Sequence, residues 1–160
     1  MSLDELESAL KAFDAARNQT LESERALAAS RGKFRQEFMQ ACHREWTKTA
    51  EELVRLMGNS NHRVELTLAQ EAHQEMMVMH IRPNLKDLGY SLAQSFDFTI
   101  KVYPNEAMQR VCVKTVTPDQ PEYIGRPETF RIEDLAGDNF KHVLSRHLAT
   151  IVRAAMPKTP

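Results

Sequence analysis

Ser2 to Met57 reads SLDELESALKAFDAARNQTLESERALAASRGKFRQEFMQACHREWTKTAEELVRLM, 56 residues with one glycine, Gly32, and no proline. Ser2 with Glu5 three positions on is a capping-box pair, and Met57-Gly58-Asn59-Ser60 closes the run, with Gly58 expected in the left-handed position after the last turn. The stretch therefore reads as one long helix, or as two helices meeting near Gly32, because a mid-helix glycine costs only about 1 kcal/mol relative to alanine. As a single rod it would extend about 84 Å, against about 30 Å for a small domain. The rest of the chain can cover less than half of it. The remainder must pair with another copy, fold back, or face water.

Within the run, Leu3, Leu6, Leu10 and Phe13 follow the 3-4-3 spacing of a helix-pairing seam. In the same frame Arg17, Thr20 and Glu24 interrupt it before Leu27, Phe34 and Phe38 return, with Arg31 a further polar break. Beyond Phe38 the better stripe is Cys42, Trp46, Ala50, Leu53 and Met57, whose steps of four resemble a stutter in a coiled coil. Charge divides along the run: residues 1–24 carry six acids and two bases, residues 25–48 six bases and two acids. That opposition suits antiparallel packing of the two halves, between chains or within one chain bent at Ser30-Arg31-Gly32. Leu3, Leu6, Leu10, Phe13, Leu27, Phe34 and Phe38 are the expected oligomerisation residues.

From Asn61 the period drops to two. Val64, Leu66 and Leu68 alternate with Arg63, Glu65 and Thr67; His73 to Arg82 is apolar on both faces at its centre; Phe96, Phe98, Ile100 and Val102 alternate again; and Met108 to Thr117 forms a fourth strand. Pro104-Asn105-Glu106 is expected to be the turn before it. Short connections favour an antiparallel meander of four strands, with Thr129 to Ile132 a short further candidate. Pro118 to Pro127 is a proline-restricted loop. Asp138 is expected to cap a last helix whose stripe of Phe140, Val143, Leu144, His147, Leu148, Ile151 and Ala155 would cover the sheet. The fold class is α+β: residues 1–58 a coiled-coil-like oligomerisation segment, residues 59–160 a small α+β domain. In outline this order resembles coiled-coil proteins with small α+β heads, kinetochore-type subunits among them, and Tyr103-Pro104 is the local point in common.

The chain is 42% hydrophobic and 27% charged, with a formal net charge of −1, so no global field draws it to nucleic acid or membranes. No run is long and apolar enough to span a bilayer, and the acidic first residues Asp4, Glu5 and Glu7 are unlike a signal peptide, so a cytoplasmic location is expected. Cys42 and Cys112, 70 positions apart, read as two reduced thiols. No phosphate-binding glycine loop, zinc-peptidase helix or serine elbow occurs, and no cofactor or metal is expected.

Three groups of side chains remain as candidate sites. Glu71, His73 and Glu75 share one face of a strand and admit acid–base or metal chemistry. Cys112 would be nucleophilic if Arg110 or Lys114 lowered its pKa. Lys101 and Thr99, beside Arg110 and Lys114 on the next strand, make a basic, mostly polar sheet face suited to an acidic partner or phosphates; without exposed aromatics other than Tyr103, nucleic acid is the weaker reading. The sequence thus favours a non-enzymatic adaptor or assembly factor that forms a homodimer or larger oligomer and binds another protein through its head. The alternatives are a small hydrolase or transferase around the His73 strand, and a phosphate or nucleic-acid binder.

Overall fold

A computed structural model describes residues 2–71, 74–86, 88, 97–117 and 127–156. Helix α1 (Leu3–Ala41) runs through a π turn (Cys42–Trp46) into α2 (Thr47–Gly58), then come β1 (Arg63–Glu71), β2 (Gln74–Arg82), β3 (Phe98–Asn105), β4 (Arg110–Val116), β5 (Glu128–Phe130), a short turn of 3-10 helix (Ile132–Leu135) and α3 (Asn139–Ala155). The rod is unbroken at Gly32, so the hairpin alternative is excluded. Local chemistry supports this continuity. Thr20 is the one β-branched residue between Leu3 and Ala41, and alanines recur throughout that segment. At its start Ser2 Oγ accepts from the Glu5 N–H and Glu5 Oε2 from the Ser2 N–H, both at 3.3 Å.

The π turn explains the steps of four. Phe34, Phe38, Cys42, Trp46 and Ala50 are all buried against the head. In a pure α-helix each step of four overshoots the previous side chain by about 40°, so such a stripe would wind off the sheet. One wider turn, in which the Thr47 N–H and hydroxyl both reach the Cys42 carbonyl, winds it back. What looked like a coiled-coil stutter is thus the means by which one helix keeps facing its own sheet. Trp46 is 1% exposed, stacked on Phe140 of α3 at 4.8 Å and edge-on to Phe38 at 5.6 Å.

The sheet is fully antiparallel in the order β1-β2-β3-β4-β5, one strand more than the four expected. β5 is three residues long, Val111 to Val113 pairing with Phe130 to Glu128, too short for its alternation to stand out. Pro104 lies inside β3 opposite Val111, and the turn follows it. The β2 register ends at Met77–Val102, so the missing N–H of Pro104 breaks no ladder bond on that side. At the end of α2 the left-handed residue is Asn61 (φ 61°) rather than Gly58, which remains helical. Asp138 stands at the start of α3, but its side chain makes no capping bond there.

Met77, Met79, Ile81, Phe98, Ile100, Val102, Val111 and Val113 line one face of the sheet, on which the second half of the rod and α3 are packed. The core is therefore shared between Phe34–Met57 and the strands. Lys141 of α3 reaches Glu52 across this layer, at 3.4 Å. Replacing Trp46 with Ala should cost about 3–5 kcal/mol, as loss of a buried aromatic does. Urea unfolding measures this, and a loss below about 1 kcal/mol would contradict the placement of Trp46 at the centre of the core.

Candidate functional site

Residues 2–30 are exposed at every position, whereas Arg31 and Phe34 begin the covered half. Twenty-eight residues from Leu3 to Ser30 make a stalk about 42 Å long. Its base is fastened at the β3–β4 turn, where Arg35 forks onto both carboxylate oxygens of Glu106 and Gln109 reaches Ser30. This pairing holds the Glu106 carboxyl below its ordinary range and the Arg35 guanidinium above its own.

Along the stalk, Leu3, Leu6, Leu10, Phe13 and Leu27 are 70%, 46%, 54%, 64% and 46% exposed. Single exposed apolar residues are ordinary, but four on one side of the first three turns, with Leu27 beyond a polar break, are a surface that water solvates poorly. Phe34 and Phe38, read from sequence as part of the same seam, belong instead to the core at 6% and 0%. The outward side of the covered half is polar: Lys33, Arg35, Gln36, Glu37, Gln40, Arg44 and Glu45 are all exposed. It offers the stripe no apolar counterpart, which removes the physical basis for pairing the acidic half of one chain with the basic half of another. Ala16, Gln19, Thr20, Ser23, Glu24 and Leu27 line a shallow hollow farther along the stalk.

The opposite face of the sheet carries the predicted basic residues. Lys101 and Lys114 are directly paired across β3 and β4, while Arg110 pairs with Asn105 two rows away and borders a cleft with Ser30, Lys33 and Arg131. This face is less polar than expected, because Met76, Val78, Thr99 and Cys112 on it are all buried. The long helix lies on the other side of the sheet. Cys112 is 4% exposed, and burial pushes its thiol up despite a bond with the Tyr103 hydroxyl, the reverse of what a nucleophile needs. Burial likewise pushes Cys42 up to about 12, with Glu75 adding to the shift. His73 lies outside the described residues, as does the side chain of Glu71. Glu75 faces His43 at 3.6 Å. Among the described residues no three metal-ligating side chains converge. No helix among them is long and apolar enough to cross a membrane.

Two further polar arrangements were not legible in the sequence. At the edge of the outer face a cleft of about 420 Å³ holds Arg63, Glu65, His80, Arg82, Asp97 and Thr99. Its charges are already paired, Arg63 with Glu65 at 3.0 Å and Arg82 with Asp97 at 2.9 Å. On the helix side, His147 of α3, read from sequence only as part of the apolar stripe, has two side-chain partners. Its Nδ1 lies 2.7 Å from Thr115 Oγ1 and its Nε2 lies 2.8 Å from Glu128 Oε1, while Arg146 donates to Glu128 Oε2 at 2.8 Å. A carboxylate only accepts, so neutral His147 carries its proton on Nε2 and accepts at Nδ1 from the Thr115 hydroxyl. The order Thr–His–Glu is that of a nucleophile, a base and its orienting group. Yet Thr115 is 3% exposed, and the clefts described above do not open onto it. The network satisfies buried polar groups.

No family model, curated protein or solved structure matches the chain.

Burial, the largest effect on His147, lowers its pKa below 6.5, and the attraction of Glu128 offsets this only in part. Below about pH 6.5 the unfolded chain therefore takes up a proton that the folded chain resists, and stability falls as pH falls. Wild type should lose more stability between about pH 7.5 and about pH 5.5 than His147→Gln, which does not titrate. Equal losses in urea unfolding would show that His147 contributes nothing to the pH dependence.

Proposed function

We propose that this protein is a non-enzymatic assembly adaptor, which self-associates through its stalk and presents the α+β head to a second protein. The observation that carries this is the uncovered stripe of Leu3, Leu6, Leu10, Phe13 and Leu27 on a helix fastened to the head at one end only. Burying such a stripe in a helix–helix seam removes the apolar area from water, at roughly 25 cal/mol per Å². A solitary stalk gains nothing from those residues. Phe34 and Phe38 take no part in this seam, since the head already uses them.

On the head, the Lys101–Lys114 pair is the proposed contact for an acidic partner, with Arg110 at its margin. Two cations side by side on adjacent strands concentrate positive charge on this part of the face, which suits an anionic group.

Replacing Leu6, Leu10 and Phe13 together by Glu should reduce the molar mass in solution to that of one chain, 18.3 kDa, with the circular-dichroism signal of the head retained. Light scattering on a sizing column makes the measurement. An oligomer of undiminished mass in this variant, or a wild-type chain that is already monomeric, would remove the stalk from assembly.

A further inference from the structure

We infer that the occupant of the stalk is a second copy lying antiparallel along residues 3–27, with a two-fold axis crossing near residue 15. The inference rests on the self-association proposed above and adds its direction and register. Antiparallel helices place each a-type seam position against a d-type position of the other. With full overlap of the two stripes, Leu3 then faces Leu27 of the second copy, Leu6 faces Glu24, Leu10 faces Thr20 and Phe13 faces Arg17.

Three observations favour this direction over a parallel pair. The first is the position of the head. Leu27 precedes Phe34 by seven residues, two helical turns on the same side, and Phe34 points into the head's own core. A parallel helix seated on Leu27 and continuing forward would enter the space the sheet fills. An antiparallel helix ends at its own Leu3 and stops short of Ser30, where the head begins.

The second is shape. Leu3, Leu6, Leu10 and Phe13 stand proud on the first half of the stalk, while Ala16, Thr20, Ser23 and their neighbours leave the hollow on its second half. In the antiparallel register Leu6 and Leu10 of each copy lie over the hollow of the other, at Glu24 and Thr20, while Leu3 packs on Leu27; a parallel pair sets bulk on bulk and hollow on hollow. Ala9, Ala16 and Ser23, spaced by seven, form the edge that the two helices share beside the seam, and their small side chains admit close approach.

The third is charge. Residues 3–14 hold Asp4, Glu5, Glu7 and Asp14 against Lys11, while residues 16–27 balance Arg17 and Arg25 against Glu22 and Glu24. A parallel pair stacks the acidic quarters together and sets Arg17 on Arg17 and Glu24 on Glu24 in the seam. The antiparallel pair avoids each of these, and it places the Arg17 guanidinium over the Phe13 ring. The arrangement puts the two heads at opposite ends of one rod.

Two variants of the full chain, each with one added cysteine, test this, because Cys42 and Cys112 are buried at 3% and 4% and leave wild type as the blank. Ala16 meets its own copy only in the antiparallel pair, and Leu10 meets its own copy only in the parallel one. After native oxidation and thiol blocking, Ala16→Cys should run as a covalent dimer on a non-reducing gel and Leu10→Cys as a single chain. Cross-linking of Leu10→Cys alone, in a chain that light scattering shows to be dimeric, would overturn the antiparallel direction and leave self-association standing. A wild-type mass of one chain would overturn both. Both substitutions lie on the exposed stalk, so the head's core is untouched.

Discussion

A helix of fixed pitch has to keep one stripe against a flat sheet for its last 28 residues, and the head depends on how that mismatch is resolved. The π turn at Cys42–Trp46 resolves it by inserting one wider turn under the tryptophan. Trp46 then stacks on Phe140 and so joins the rod to α3, while Phe38, Leu53 and Met57 fill the sheet face on either side. Without that adjustment the stripe would rotate away from Ile100 and Val102, and helix and sheet would bury different faces.

The same rod meets two solvents. Its covered half is amphipathic in the ordinary sense, apolar toward the sheet and polar toward water. Its stalk has the apolar stripe but, among the described residues, no element that covers it, and it stays helical through alanine content, a capping box and continuity with an anchored neighbour. The Arg35–Glu106 fork and the Ser30–Gln109 bond mark the boundary between the two regimes. Under the proposed reading, that boundary is also where a partner helix must stop. Under that same reading, a head fastened so close to the seam would restrict the direction of pairing by excluded volume, alongside the shape and charge of the stalk itself.

The head's polar interior follows the same economy. Thr115, His147 and Glu128 come from β4, α3 and β5, three elements separated in sequence, and each polar atom has a partner. The arrangement has the connectivity of a catalytic triad, with its threonine buried among the described residues. Its consequence is for stability, since a neutral imidazole held in a half-buried site makes the fold sensitive to acid.

The α+β class, the long helix, its capping box and the alternation in β1, β3 and β4 were legible because each depends on neighbours a few positions apart. The apolar stripe of Leu3, Leu6, Leu10 and Phe13 was legible for the same reason, and the structure leaves it exposed. Burial of Phe34 and Phe38 was not: their heptad spacing is the same whether the facing surface is another helix or a sheet. The fifth strand was legible only as a short candidate at Thr129 to Ile132; its bounds, Glu128–Phe130, and its pairing with β4 exist only once β4 is in place. The rod could not be told from a hairpin, because Gly32 permits either and only the packing from Arg31 onward chooses. Periodicity determined which faces are apolar, since side-chain direction is a local property of the backbone. Tertiary structure decided what covers each face, since that depends on contacts between residues far apart in the chain.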